Sequence, residues 1–415
     1  MAGMNNENIE ILAPVGSWES LAAAIQAKAQ SVYFGIEHLN MRFRSSNNFR
    51  IDDLKQIVEK CHSNGIKAYL TLNTIIYEEE IALMKNIVDA AKKNNIDAII
   101  ASDQSVINYC FEKTIPLHLS TQLNISNYET VKFYAPYADV MVLARELSLE
   151  QISNICNSIA SDNLKGPSGK PVKIEVFIHG ALCMSVSGKC YLSEHLHGAS
   201  ANRGACYQIC RREFTVKDDN ENTLVLQNPY ILSPKDLCTI RFLDKILEAG
   251  VQILKIEGRG RSPEYVKKCT EVYRKAVIAI ENNSFDAQLA VMLEKELETV
   301  FNRGFWEGHY LGQDISLWNT DVYGSKAARK KTYAAKGVKY FSKIGVGEFL
   351  MESGTLQRGD KILIIGPTTG VIELIIEELH FENQLVESVS KGDRFSIRSD
   401  HKIRASDKLY RLEEQ

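Results

Sequence analysis

The chain has 415 residues, 45% of them hydrophobic and 24% charged, with 49 Lys and Arg against 52 Asp and Glu for a net charge of -3. That length exceeds one ordinary domain and suits a barrel of ~250 residues with a smaller companion, and no uncharged apolar run approaches the roughly 18 residues that would read as a bilayer span. The charge balance excludes a globally basic nucleic-acid binder but leaves room for a local basic patch. The opening MAGMNNENIE has acidic residues and no apolar leader core, so a cytoplasmic location without a membrane partner is expected. In a reducing compartment nine cysteines are poor disulfide formers, and any cluster of them points to metal binding or redox chemistry.

In chain order, short β-branched apolar runs alternate with segments of helical period. Eight runs predict strands: Ile9 to Pro14, Ser31 to Ile36, Lys67 to Asn73, Ala98 to Asp103, Leu117 to Gln122, Val140 to Arg145, Ile174 to His179 and Ile253 to Gly258. Nearly continuous apolar character suits strands buried on both faces, as in a parallel sheet covered by helices. WESLAAAIQAK, IDDLKQIVEKCHSN and EEEIALMKNIVDAAKKN predict crossover helices, with Gly65, Asn94 and Asn95 near their ends. Eight strand-helix units predict an α/β fold, a TIM-like (β/α)8 parallel barrel; a doubly wound open sheet shares the pattern, because one sequence does not reveal strand order.

The spacing is regular until the seventh strand, after which more than seventy residues pass before the eighth, holding five of the nine cysteines. Beyond the eighth, Ser262 and Pro263 open a long predicted amphipathic helix, and FDAQLAVMLEKELETVF predicts another. From about Lys336 short strands separated by turn signals predict a small all-β module. The expected domains are a barrel over 1–285 with a cysteine-rich insertion at 180–240, a helical extension and basic linker over 286–335, and a C-terminal β-barrel over 336–415.

Chemistry in such barrels sits at the C-terminal strand ends, where the loops converge. There Asn73, Asp103, Gln122, Arg145, His179 and Glu257 finish apolar strands, and Arg42, Arg44, Arg259 and Arg261 follow strands two and eight. Each alone reads equally well as a solvated loop start or a helix cap. Together the arginines suit an anionic ligand, because guanidinium grips carboxylate or phosphate at two points. Arg42, Arg44, Asn73, Gln122 and Arg259 are the candidate substrate-binding residues, and Arg145, His179 and Glu257 the candidate catalytic ones, the last two for proton transfer.

In the insertion, Cys183 and Cys190 share one glycine-containing loop, Cys206 and Cys210 flank three residues, and Cys238 ends SPKDLC. Core cysteines have no reason to gather in Gly- and Ser-rich loops, whereas thiolates at short spacings can converge on an ion or a cluster. Only Cys206 and Cys210 match a zinc knuckle, and irregular, widely separated ligands are more typical of an iron-sulfur cubane; both metals stay open on spacing alone. Neither an HExxH motif nor a GxSxG elbow occurs, and Cys183 near His179 is a weak thiol-peptidase candidate.

At IEILAPVGSWESL, SVYFGIEHLNMR, LSTQLNISN, EVFIHGALCMSVSGKCYLS, RGACYQICR, YILSPKDLC, LKIEGRGRSPEYV and FNRGFWEGHYLG, most of the chain resembles the collagenase-like peptidases, family U32. The resemblance implies a barrel with an oxygen-labile 4Fe-4S cluster that supports hydroxylation without molecular oxygen, the peptidase label being historical. By motif it implies Cys183, Cys190, Cys206 and Cys238 as ligands, with Cys210 in reserve. Length and the final module resemble the tRNA hydroxylation branch, which implies prephenate-linked formation of 5-hydroxyuridine at the wobble position. LQRGD and KGD in that module are similar to the second domain of translation factors.

An RNA partner has separate support between Lys326 and Lys343, where seven Lys and Arg occur without an acidic residue and aromatics interleave. Arg329, Lys330, Lys331 and Tyr333 are the candidate RNA contacts, with cations on phosphates and an aromatic face on unpaired anticodon bases; a solvated linker reads the same way. The expected function is tRNA hydroxylation with a 4Fe-4S cluster, a small anionic cosubstrate such as prephenate, and iron-sulfur assembly or electron-donor partners. The competing classes are a collagenase-like peptidase and a non-catalytic RNA-binding or assembly factor.

Overall fold

The computed structural model describes residues 9–44, 48–219, 223–224, 228–312 and 319–415; the first eight residues, part of the segment read as leaderless, lie outside them. Each apolar run forms a strand: β1 (Glu10–Pro14), β2 (Ser31–Phe34), β3 (Lys67–Leu72), β4 (Ala98–Ala101), β5 (Leu117–Leu119), β6 (Val140–Val142), β7 (Lys173–Ala181) and β8 (Ile253–Ile256). Each pairs in parallel with the next, and β8 pairs with both β7 and β1, so the sheet closes into an eight-stranded barrel rather than an open doubly wound sheet.

The crossover helices are α1 (Trp18–Gln26), α2 (Leu54–His62), α3 (Ile81–Lys93), α4 (Gln104–Glu112), α5 (Tyr128–Tyr134) and α6 (Leu149–Ser161). Their starts are fixed by side chains that accept from otherwise unpaired first-turn amides, such as Ser17 from Ser20, Asn127 from Thr130 and Ser148 from Gln151. Alternate strand residues face outward: Ile11, Val32, Leu70, Ile99, Met141, Ile174 and Leu254 join the core under the helices. Their neighbours Leu12, Tyr33, Tyr69, Ile100, Val140 and Ile253 fill the barrel interior.

That interior also holds charge. Lys255 Nζ lies 2.6 Å from Glu175 Oε1, and His118 Nδ1 lies 3.5 Å from Glu175 Oε2. Nearer the base, the Tyr69 hydroxyl donates to Glu10 Oε1 at 2.6 Å, and the Tyr69 and His118 rings are 4.4 Å apart.

The insertion leaves β7, carries the short α7 (Leu192–His197), and returns through a strand at Asp236–Cys238 that pairs antiparallel with the end of β7. Then α8 (Leu243–Glu248) leads into β8, followed by α9 (Pro263–Glu281), with Pro263 at its first position, and α10 (Ala287–Glu298).

The C-terminal module is antiparallel: β9 (Arg329–Phe341), β10 (Val346–Met351), β11 (Lys361–Gly366), β12 (Gly370–Ile375), β13 (Arg394–Arg398) and β14 (Lys408–Glu414) run in the order β12-β11-β14-β9-β10-β13, extended by Leu379–Phe381 and Gln384–Leu385. Ile372 near one edge and Leu379 near the other share a core with Phe349, Phe395 and Leu409, so the sheet curls around its own side chains. The expected linker at 329–335 is corrected: it is the first half of β9, paired with β14, and the module therefore starts at Arg329. Ala23 of α1 packs with Leu363, Ile365 and Val371, while the Gln26 amide donates to Thr369 O and accepts from Val371 N at 2.8 and 2.9 Å. No helix among the described residues is long and apolar enough to cross a membrane.

Candidate functional site

The strand ends and the insertion enclose a cavity of about 230 Å³ at the barrel mouth. Its floor is Tyr33, Ile100, Phe177 and Lys255 from inside the barrel, and its wall includes Cys183, Cys190, Cys206 and Cys210. Four thiols from two segments of the insertion thus line one space. Cys210 is sensitive to the others: burial pushes its thiol up to about 11, Arg211 opposes this, and Cys183, Cys206 and Cys190 add to the rise. Cys183 Sγ lies 3.4 Å from the Ser185 hydroxyl, and Cys206 Sγ accepts from Gln208 N at 3.4 Å.

Cys238, a ligand implied by resemblance, does not line the cavity. The Asp236–Cys238 strand pairs Cys238 with His179, and strand alternation sends its sulfur into the core, 3.8 Å from the Tyr273 hydroxyl and 7% exposed. Cys210, held in reserve, lines the cavity in its place. Among the described residues, no three His, Cys, Asp or Glu side chains close around one point as a single metal ion requires. Four thiols on one wall are a donor set that suits an iron-sulfur cluster or a zinc ion.

Seven cations line the cavity, namely Arg42, Arg145, Arg211, Lys255, Arg259, Arg261 and Arg303, against one carboxylate, Glu257. Arg42 Nη2 donates to Glu257 Oε1 at 2.7 Å, and Ala181 N donates to Glu257 Oε2 at 3.3 Å. Burial alone would raise the Glu257 pKa, but Arg42, Arg261 and Arg145 outweigh it and hold it down to about 2. Glu257 lines the cavity as expected, and its ion pair fixes the Arg42 guanidinium there. The approach of β7 to Glu257 needs Gly180: its φ is +106°, and a Cβ there would stand 2.5 Å from Glu257 O.

Arg259 is 5% exposed and donates through Nη1 to Asn40 Oδ1 at 3.1 Å and to Thr71 Oγ1 at 2.7 Å. Arg145 donates to Ala181 O at 2.9 Å and stacks 3.6 Å from the Phe177 ring centre, while its buried Nε has no partner among the described residues. Asn73 donates to Ser120 Oγ and Gln122 Oε1 at 3.1 and 3.3 Å, and all three side chains line the cavity.

Other expected site residues lie elsewhere. His179 is 1% exposed, packed among Tyr265, Tyr273 and Phe305; burial and Arg261 push its pKa down to about 3, so it is a neutral core histidine rather than a cavity acid or base. Asp103 caps α4 through Ser105 N and accepts from Ile76 N. Arg44 is exposed outside the cavity, where its guanidinium meets the Tyr207 hydroxyl. Of the four expected RNA contacts, Arg329 pairs with Glu373 and Glu414 at 2.8 and 3.2 Å, Lys331 with Glu264 at 2.7 Å, and the Tyr333 hydroxyl with Glu352; Lys330 is exposed. Three of them are thereby engaged in holding the module together or onto α9.

Lys255 escaped the sequence reading although it lines the cavity floor at 4% exposure. The available signal was a lone lysine inside the apolar run ILKIEG, matched by a lone glutamate in IEVFIH. Burial lowers the Lys255 pKa, and Glu175, which accepts from Nζ at 2.6 Å, opposes that shift.

Fold and site together define a (β/α)8-barrel protein whose mouth holds a thiol-lined, cation-rich cavity. Residues 16–320 match the sequence model of Peptidase family U32, and the chain belongs to that family. A Porphyromonas gingivalis protein named collagenase is 56% identical over 413 residues, 99% of this chain and 100% of its own length. The Bacillus subtilis tRNA hydroxylation protein P1 is 31% identical over 386 residues, covering 89% of this chain and 87% of its own. An Escherichia coli 23S rRNA 5-hydroxycytidine synthase is 36% identical over 278 residues, covering 67% of this chain and 40% of its own.

Proposed function

We propose that this chain is an RNA-modifying enzyme that hydroxylates a tRNA base, with wobble uridine converted to 5-hydroxyuridine as the specific reaction, and that Cys183, Cys190, Cys206 and Cys210 hold a 4Fe-4S cluster. The observation that carries the reading is the assembly of those four thiols in one cavity with seven cations. Relatives named for tRNA and rRNA hydroxylation supply the substrate class. Bound there, a cluster supplies Lewis acidity or one-electron transfer at the cavity wall.

The chain's own residues have separate tasks. Arg42, Arg145 and Arg259 orient a small anion, for which prephenate is the candidate, because guanidinium charge in a recessed site favours carboxylate. Glu257 stays ionised and fixes Arg42. Lys255 offers ammonium N–H donors at the floor to an oxygen of the bound molecule, its charge held by Glu175. A base reaching this cavity must leave its stack, which an unpaired loop permits at low cost.

A thiol peptidase needs an imidazole beside its sulfur. Among the described residues no histidine lines the cavity, and His179 faces the core. The test is mass spectrometry of tRNA from a strain lacking the gene, with complementation by the wild-type chain and by C183S/C206S. Loss of 5-hydroxyuridine, restored only by wild type, is expected; an unchanged level overturns the proposal.

A further inference from the structure

Two of the cavity-lining cysteines are each followed by a tyrosine that turns outward. Cys190 and Cys206 line the cavity, while Tyr191 is 74% and Tyr207 is 42% exposed and neither lines it. Large rings left in water beside a recessed site mark a surface awaiting a partner. Tyr207 is flanked by the His197 ring at 4.8 Å and by the Arg44 guanidinium at 5.3 Å from its ring centre, so a cation sits beside the platform. The segment from Cys183 to Arg212 has four Lys and Arg and two His against one Glu, although the whole chain is slightly acidic. By contrast, three of the four side chains expected to contact RNA on β9 are engaged within the protein.

We infer that the outer face of the cysteine-rich insertion, centred on Tyr191 and Tyr207, receives the single-stranded RNA loop, its rings stacking on unpaired bases beside the target while Arg44 and Lys189 take phosphates. This rests on the RNA-hydroxylase reading and extends it, by moving the RNA contact from the β module to the rim of the cavity. Stacking tolerates any base, and a flat ring next to the cavity would hold the neighbours of a base that has swung inward. The cations add affinity that weakens with salt. An acidic protein partner would meet the same charge but would not need two separate exposed rings flanking the opening.

The experiment measures binding of the full chain, purified without air, to a fluorescent hairpin RNA with an unpaired loop and to a fully paired duplex of the same composition. Wild type should prefer the hairpin, Y191A/Y207A should lose about tenfold or more in hairpin affinity with little change for duplex, and Y191F/Y207F should retain it. R44A should weaken binding and flatten its salt dependence, whereas K330A should do neither. Hairpin binding by wild type that persists unchanged in Y191A/Y207A overturns the assignment of the surface and leaves a protein partner as its occupant. Failure of wild type to bind either RNA instead overturns the functional reading beneath it. Equal thermal unfolding of the Phe and Ala variants separates lost contact from lost fold.

Discussion

Replacing Glu175 with Gln tests the charged interior of the barrel directly. Glu175 is fully buried, its carboxylate lies 2.6 Å from the Lys255 ammonium, and Lys255 is itself 4% exposed. Gln keeps the shape but leaves the ammonium without a counter-charge, and breaking a buried pair from one side costs about 3–5 kcal/mol. At a urea slope of about 3 kcal/mol/M the unfolding midpoint should fall by roughly 1–1.7 M. Removing both charges, as in E175L/K255M, should return the midpoint to within about 0.5 M of wild type, because no lone charge remains. Burial already lowers the Lys255 pKa, and in E175Q no carboxylate opposes it. The unfolded chain then binds that proton more tightly than the folded one, so stability must rise with pH, and the E175Q deficit should shrink between about pH 7 and pH 10. Equal destabilisation by single and double variants, or a deficit flat with pH, would refute the argument that the pair acts as a unit.

Wild type should outlast E257Q in urea above the ordinary carboxylate value of 4.5, with the advantage fading as pH falls toward about 2, since a depressed carboxylate pKa stabilises only while the group is ionised; an advantage that grows in acid would contradict the sign. C183S, C190S, C206S and C210S should each lose iron and visible absorption after anaerobic purification, while C238S keeps both; the reverse pattern for Cys210 and Cys238 would restore the ligand set implied by resemblance. Gly180→Ala forces a side chain to φ +106° and places its Cβ 2.5 Å from Glu257 O, so a loss of about 1–3 kcal/mol together with a weakened hold on Arg42 is expected, read from urea midpoints and from lowered 5-hydroxyuridine. A midpoint equal to wild type would show that the β7 and β8 ends part freely.

The barrel was legible because every strand is a contiguous apolar run followed by turn residues or a segment of helical period, and Ser262 and Pro263 stand where α9 begins. The insertion was legible because it breaks a regular spacing. β9 was not, since its exposed positions include Lys330, Lys336 and Lys339 while its buried ones are Ala334, Ala335 and Gly337, too small to mark an apolar face. The placement of Cys238 depends on a three-residue strand pairing with β7 from far along the chain, and only that register says which way its sulfur turns. Lys255 and Glu175 each look like a flaw in an apolar run, and only barrel closure, with Ile253 opposite Glu175, makes them partners. Asp103 had the right position for a site and the right chemistry for a cap, and α4 took it.

Because β7 and β8 are hydrogen-bonded to each other, residues 182–252 form a detour spliced between two adjacent staves of the same cask. Lengthening such a detour costs only about 0.6 kcal/mol per doubling, so its content can be rewritten while the socket beneath stays closed. A cassette of that kind lets one scaffold be re-plugged for unlike molecules, and transplanting residues 182–252 into the barrel of a relative is the way to ask how much of the specificity travels with it.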